Sequence, residues 1–172
     1  AWGTGGTTLT SAAAVAPDGS MTATKITSNF TGFAVRSLQV VVGINQKYIF
    51  SVWVLAGSLS QQMSIAIGDS ASVVAGLNFT PTATWQRISV VATITNSGAQ
   101  VNPLIYVNPN NASGTSVNNE FFYYWGAQIE PVTYQTTPGP YVATTTAAYY
   151  GPRFDNTLGT ANAPLGLLIE EA

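Results

Sequence analysis

The sequence predicts an all-β domain: a two-sheet antiparallel β-sandwich of the jelly-roll type, followed by an extended C-terminal arm. Short runs of β-branched and aromatic residues alternate with clusters of Gly, Pro, Asn and Ser, the pattern of strands joined by turns. Helical periodicity is not sustained anywhere in the chain. A chain of 172 residues is also long enough to bury the core of one domain without covalent staples.

Eight runs have the length and composition of strands, and a jelly roll contains that number of strands. The predicted strands are Met21–Thr27, Phe33–Val42, Lys47–Leu55, Met63–Ile67, Val73–Phe79, Gln86–Thr95, Pro103–Val107 and Phe121–Glu130. The turns between them contain residues that favour reversal of the chain. In the segment 16–20, for example, Pro17 fixes φ and Gly19 accepts a positive φ.

In the sixth predicted strand, the alternation of apolar and polar residues predicts which side chains face the core. In Gln86–Thr95, the apolar Ile88 and Val90 alternate with the polar Arg87 and Ser89. Successive side chains of a strand point to opposite faces of the sheet. We therefore expect Ile88, Val90 and Ile94 to face the core, while Arg87 and Ser89 point outward.

The run Lys47–Leu55 is apolar on both faces. Tyr48 and Phe50 alternate with Ile49 and Trp53, so neither side has the polar character of a solvated surface. Two interpretations follow. Either the strand is covered on both faces, or its outer face presents an exposed aromatic platform.

The composition excludes several kinds of chemistry. The chain has no cysteine and no histidine, so thiolate metal sites, disulfides and serine–histidine–aspartate triads are ruled out. A glycosidase needs two carboxyl groups about 5–9.5 Å apart across the sugar, and nothing in the sequence brings two of the seven carboxylates together. We therefore expect a protein that is not an enzyme and has no cofactor.

The number and distribution of charged residues limit the classes of partner that we expect the chain to bind. Only 7% of residues are charged, against about 25% in an ordinary soluble domain. The five cations are scattered, whereas binding of nucleic acid requires cations that are clustered along one surface; they are Lys25, Arg36, Lys47, Arg87 and Arg153. No apolar run reaches the length of a membrane span. Neither nucleic acid nor a membrane is expected as a partner.

The composition changes after Thr137, which predicts a jelly-roll domain over residues 1–137 and an arm over residues 138–172. Prolines in the arm remove the backbone donors that a central strand needs. Yet seven of its residues are too apolar for a free tail: Tyr149, Tyr150, Phe154, Leu165, Leu167, Leu168 and Ile169. We expect the arm to pack on a neighbouring subunit and form a homo-oligomer. The alternative is an arm that folds back on its own domain.

Four segments occur in a consistent order along the chain. They are the strand Ala16-Pro17-Asp18-Gly19-Ser20-Met21-Thr22-Ala23-Thr24-Lys25-Ile26, the strand Thr84-Trp85-Gln86-Arg87-Ile88-Ser89-Val90, the final strand Tyr124-Trp125-Gly126-Ala127-Gln128-Ile129-Glu130-Pro131, and a linker that begins Gly151-Pro152-Arg153-Phe154-Asp155 and ends Pro164-Leu165-Gly166-Leu167-Leu168-Ile169-Glu170-Glu171-Ala172. Together they resemble carbohydrate-binding-module-like domains of tailed-phage virion proteins, both tail-fibre and capsid-associated. The resemblance implies a two-sheet jelly roll, a location on the virion surface outside the cell, and other virion subunits as partners. It supplies no catalytic residue.

The aromatic residues are the candidate ligand-binding groups, because the apolar C–H faces of sugars stack on exposed rings. The four tryptophans are Trp2, Trp53, Trp85 and Trp125. Trp85 is in phase with the outward-pointing Arg87, which places it on the outer side of the strand or at the strand's entry. Trp53 and Tyr124 are further candidates, since Tyr124 is in phase with Gln128 and Glu130. The alternative is that these rings fill the core or an interface.

Related modules often hold a structural calcium ion through acidic residues of their first and last strands. Here the last strand has Trp125-Gly126 at that point, and only Asp18 and Glu130 remain as acidic ligands. Calcium usually takes several carboxylate oxygens, so a metal-free fold is expected.

Two functions are consistent with the sequence. The first is a glycan-binding adhesion module on a phage particle, with Trp85, Trp53, Tyr124 and Arg87 as the ligand-binding residues and a polysaccharide as the partner. The second is a structural virion protein that decorates or cements the particle without binding a glycan. An exposed ring with polar neighbours would favour the first function, and rings buried between subunits would favour the second.

Overall fold

A computed structural model of the chain describes residues 3–32, 34–41, 44–58, 61–95, 100–143, 153–156 and 164–168. These residues belong to two compact units, Ala1–Tyr141 and Val142–Ala172. The first unit therefore extends past Thr137, where the composition changes, and includes the first four residues of the expected arm.

The described residues of the first unit form eleven strands and one short 3-10 helix at Asn111–Ser113, with no α-helix among them. The strands are β1 (Gly3–Gly5), β2 (Thr7–Ala14), β3 (Ala23–Ser28), β4 (Val35–Ser37), β5 (Val40–Val41), β6 (Gln46–Ala56), β7 (Met63–Gly68), β8 (Val73–Phe79), β9 (Gln86–Ile94), β10 (Gln100–Tyr106) and β11 (Phe121–Val132). In the second unit, β12 (Arg153–Asn156) pairs with β13 (Pro164–Leu168) as an antiparallel pair.

The strands of the first unit form two antiparallel sheets. One sheet has five strands in the order β2-β3-β11-β6-β9. The other has the order β1-β4-β10-β7-β8, with β5 also paired to β10. The predicted all-β, two-sheet antiparallel sandwich is confirmed.

The core lies between the two sheets. Phe50 and Val52 of β6 and Val90 and Ile94 of β9 belong to one buried cluster that also includes residues of β7 and β10. Ile88 is partly buried against this cluster, so the predicted orientation of β9 is confirmed. Burial of each such side chain contributes about 1.5–3 kcal/mol before the cost of ordering it, which makes this cluster the main source of stability.

The predicted strand Phe33–Val42 is wrong as a single element, because the structure has β4 and β5 separated by Leu38 and Gln39. Both segments pair with β10, but on either side of Pro103. Proline has no backbone N–H, so it interrupts the ladder at that point. The structure also adds β1 and β2, whose β-branched residues are all threonine, set among Gly, Ala and Ser and without an aromatic residue.

The outer side of the second sheet is covered by a polar loop. Ser64 of β7 is fully buried and donates a hydrogen bond of 2.9 Å to the Asn108 carbonyl. Asn110 and Asn78 exchange two hydrogen bonds, of 2.7 and 2.8 Å, between the loop and β8. Backbone and amide groups of this loop therefore cover the part of the sheet around Ser64.

A β-bulge in β11 controls which side chains face outward on the five-stranded sheet. Trp125 pairs with Trp53, but the next pair is Gln128 with Ser51, so two residues of β11 oppose one residue of β6. Gly126 lies in this bulge with φ +60°, in the left-handed region that glycine adopts readily.

Replacement of Gly126 by alanine tests this bulge. A Cβ at position 126 would lie 3.2 Å from Trp53 Cδ1 and 3.3 Å from the Tyr141 ring, in addition to the strain of the positive φ. Gly19→Ala is the matched control, because Gly19 also has a positive φ but no atom within 4 Å of its Cβ position. We expect each change to cost about 1–2 kcal/mol from backbone strain, and Gly126→Ala to cost more. Urea unfolding measures both, and equal losses would show that the ring contacts do not depend on this glycine.

Candidate functional site

The five-stranded sheet has one face turned away from the core, here called the outer face, which contains a row of large side chains. Trp125 of β11 pairs with Trp53 of β6, and Trp53 pairs with Arg87 of β9, so the three lie side by side. In the adjacent row, Tyr123 of β11 pairs with Lys25 of β3. All five side chains are partly exposed, and together they form the candidate site. Its three rings, Trp125, Trp53 and Tyr123, are here called the aromatic row.

The rings on the outer face are held by specific contacts. The centroids of Trp125 and Tyr141 are 4.5 Å apart, with an angle of 56° between the ring planes. The Trp125 indole also donates a hydrogen bond of 3.0 Å to the Thr22 hydroxyl. Because both ends of the Trp125 ring system are held, the ring has a fixed orientation at the surface.

The segment 133–141, here called the strap, returns over the outer face beside the aromatic row. The backbone N–H of Gly139 donates to Glu130 Oε1 at 3.1 Å, and Arg87 Nη1 donates to the Gly139 carbonyl at 2.6 Å. Beneath the strap, Ile49 and Ser51 are fully buried although they point away from the core. The prediction that Lys47–Leu55 is covered on both faces is thus correct for this part of β6.

Arg87 and Trp53 have donors that the strap does not satisfy. Arg87 Nη2 donates to the Ser51 hydroxyl at 2.9 Å, so two of the guanidinium nitrogens are engaged. Arg87 Nε and Trp53 Nε1 are both buried and have no hydrogen-bond acceptor. Buried donors without a partner cost free energy, and an oxygen acceptor placed here would remove that cost.

Two of the four residues predicted to bind a ligand, Trp53 and Arg87, are paired on the outer face. Trp85 lies at the entry of β9, immediately before the strand, and donates its indole N–H to the Val15 carbonyl at 3.0 Å. The orientation predicted for Tyr124 is wrong. Tyr124 packs against the core, because the bulge separates its phase from that of Gln128.

Trp125 takes the place that the sequence assigned to Tyr124. An uninterrupted strand would put Tyr124 on the same face as Gln128 and Glu130, whereas the extra residue at Gly126 puts Trp125 there. A glycine inside an aromatic strand is the signal that indicates a bulge, and it was the feature that could have identified Trp125. Trp2 lies outside the described residues.

The acidic side chains near this face are already engaged. The Ser20 hydroxyl and backbone N–H donate to Asp18 at 2.6 and 2.9 Å, and these bonds lower the pKa of the Asp18 carboxyl below its ordinary value of 3.8. Within the part of the chain that the structure describes, no group of three or more acidic side chains is arranged to hold a metal ion. No described helix is long and apolar enough to cross a bilayer.

Neither a protein-family model nor a curated protein matches the sequence. Solved structures do match the fold. The CBM22-1 xylan-binding domain of Paenibacillus barcinonensis Xyn10C is 16% identical, with a TM-score of 0.56 over 78% of this chain and 87% of that one. The module TmCBM61, solved with β-1,4-galactotriose, is 8% identical, with a TM-score of 0.53 over 76% of this chain and 88% of that one. The fold is that of carbohydrate-binding-module β-sandwiches.

A phage protein has the same fold. The enzymatically active domain of tailspike protein 4 from bacteriophage CBA120 is 12% identical, with a TM-score of 0.53. The match covers 77% of this chain but only 19% of the tailspike chain. At these identities the comparisons show the fold, and the expected origin in a phage particle stays a prediction.

Replacement of Arg87 by methionine tests how the strap is held. The change removes the hydrogen bonds to Gly139 and Ser51 but keeps a long apolar stem. Hydrogen bonds to a charged group contribute about 1.5–3 kcal/mol, so we expect a lower free energy of unfolding and faster cleavage by chymotrypsin at Tyr134 and Tyr141. Lys47→Met is the control, because it removes a cation from the same face away from the Gly139 contact. Equal cleavage rates in the two variants would show that Arg87 does not hold the strap.

Proposed function

We propose that the chain is a non-catalytic carbohydrate-binding module whose outer face binds a polysaccharide. The observation that carries this proposal is the row formed by Trp125, Trp53 and Tyr123 on the surface of a carbohydrate-binding-module sandwich. The rings are partly exposed, held in place and adjacent to polar side chains. The ligand-binding residues expected from the sequence are revised accordingly: Trp53, Trp85 and Arg87 remain, and Trp125 replaces Tyr124.

The chemistry of the row suits a sugar ring. An aromatic side chain presents an apolar surface on which the C–H groups of a pyranose pack, and it provides large contact area at a low cost in conformational entropy. Gln128 lies in the next row of the same face and supplies amide groups for the sugar hydroxyls, although its Nε2 is also 3.3 Å from the Pro140 carbonyl. Stacking supplies affinity, while the polar neighbours fix orientation.

Alanine substitution of the row tests the proposal. We expect Trp125→Ala and Trp53→Ala each to weaken polysaccharide binding at least about ten-fold, equivalent to about 1.4 kcal/mol, because each removes a stacking surface. Affinity electrophoresis and calorimetry with soluble polysaccharides measure the change. Circular dichroism at the assay temperature establishes that each variant is folded.

Tyr134→Ala is the matched control for this experiment. Tyr134 is 75% exposed and lies in the strap, outside the aromatic row, so its removal deletes an exposed ring from a different place. Loss of binding in this control equal to that in Trp125→Ala, or full binding by folded Trp125→Ala, would count against the outer face as the binding site.

The proposed setting is the surface of a phage particle outside the cell. It is supported by the four ordered segments that resemble virion proteins and by the fold shared with a tailspike. In this setting the module attaches the particle to saccharides of its surroundings and catalyses no reaction. Other virion subunits are its protein partners.

A second function, assembly of subunits, is favoured by the unit Val142–Ala172. Its described residues form the pair β12–β13, in which Phe154 is opposite Leu167 and Arg153 is opposite Leu168. A two-stranded hairpin alone is marginally stable in water, so a partner surface is needed to hold it. We propose that a second copy of the chain provides that surface and gives a homo-oligomer.

Replacement of Leu167 by glutamate tests the assembly proposal in the full chain. We expect light scattering to show an oligomer for the parent protein and a monomer for Leu167→Glu, because a buried unpaired charge costs several kcal/mol at an interface. Thr160→Glu, which adds the same charge between the two strands, is the control and should leave the mass unchanged. A parent chain that is monomeric at high concentration, with a second unit that resists protease, would support the arm folding back on its own domain.

A further inference from the structure

The cations of the first unit are not distributed evenly, although the sequence scatters them. The structure describes three cationic side chains, and strand register places Lys25, Lys47 and Arg87 on the outer face. Lys25 pairs with Tyr123, Arg87 with Trp53, and Lys47 with Val132, all on the side away from the core. Folding therefore concentrates positive charge on one face of a chain whose net charge is −2.

The acidic side chain of Glu130 lies on the same face and offsets part of this positive charge. Both carboxylate oxygens of Glu130 accept the Gly139 N–H, at 3.1 and 3.3 Å, and Asp18 is bound by the Ser20 hydroxyl and backbone. Lys25, in contrast, has its ammonium group 3.8 Å from the centroid of the Phe121 ring. A cation over a ring is still able to attract an anion, since the ring carries no net charge.

The distances between the cations are those over which an extended polymer, rather than a single sugar, would be contacted. Lys25 and Arg87 are three strands apart, about 14 Å, and Arg87 is separated from Lys47 by six residues along β6, about 20 Å. The aromatic row lies between Lys25 and Arg87. Beside it, the donors Arg87 Nε and Trp53 Nε1 are buried and have no acceptor.

We propose that the polysaccharide bound on the outer face is acidic, with carboxylate groups along its length. This inference rests on the proposed carbohydrate-binding function and adds the substrate class. The aromatic rings contact the sugar faces, while Lys25, Lys47 and Arg87 attract the carboxylates. Arg87 contributes through its positive charge, because its two Nη atoms already donate to the Gly139 carbonyl and the Ser51 hydroxyl.

The test compares polygalacturonate with its fully methyl-esterified form, which has the same backbone without the charge. The full chain should bind polygalacturonate at least about ten-fold more tightly at low salt, and 0.5 M NaCl should remove most of the difference because salt screens exposed charges. Lys25→Gln and Lys47→Gln should each weaken binding of the acid form roughly two- to five-fold. Arg153→Gln, which removes the same charge from the other unit, should leave it unchanged.

The outcomes separate this inference from the function on which it rests. Equal affinity for the two forms, binding only to neutral xylan or β-1,4-galactan, or an equal effect of Arg153→Gln overturns the acidic substrate class but keeps carbohydrate binding. Absence of binding to any of these polysaccharides overturns both. Tight binding to polygalacturonate that survives Trp125→Ala would indicate simple charge attraction and would also overturn the proposed site.

Discussion

The left-handed backbone of Gly126 is the constraint on which the outer face depends. At the bulge that contains Gly126, two residues of β11 oppose one residue of β6. Every later side chain of β11 therefore lies on the opposite face from the one it would have in a regular strand. Trp125 is thereby directed outward and paired with Trp53, while Ala127 and Ile129 continue the core. Without the bulge, Tyr124 on one side of position 126 and Ala127 on the other could not both face the core. The bulge therefore determines both the core packing of β11 and the rings that it presents on the outer face.

Much of the fold could be predicted from the sequence, because the hydrophobic pattern of the long strands is clear. The alternation of Ile88 and Val90 with Arg87 and Ser89 correctly gave the orientation of β9. Of the two interpretations of Lys47–Leu55, cover on both sides applies at Ile49 and Ser51, whereas Trp53 is partly exposed. Pattern alone failed where backbone chemistry changes the register. Pro103 divided a predicted strand, and β2 is held by its place beside β3 although its C-terminal half, residues 11–14, has little β propensity.

The candidate site could be predicted only in part, for a physical reason. Period-two alternation assigns a face to each residue only while the strand stays regular. It was therefore right for Arg87, which lies in a regular strand, gave no face for Trp53 in a strand apolar on both sides, and was wrong for Tyr124, which lies just before a bulge. The contact of the strap with Arg87 and Glu130 joins residues distant in sequence, and no local pattern reports such a contact.

The strap is attached through the main chain of Gly139: its N–H binds Glu130 and its carbonyl binds Arg87. Gly139 itself is constrained, because a Cβ there would lie 2.9 Å from Glu130 Oε2, but the anchoring uses no side chain of residues 133–137. Residues 133–137 are exposed. This segment can therefore diverge through evolution, changing the rim beside the aromatic row while its position on the sheet is retained. One scaffold could in this way acquire different selectivities without altering either its core or its platform of rings.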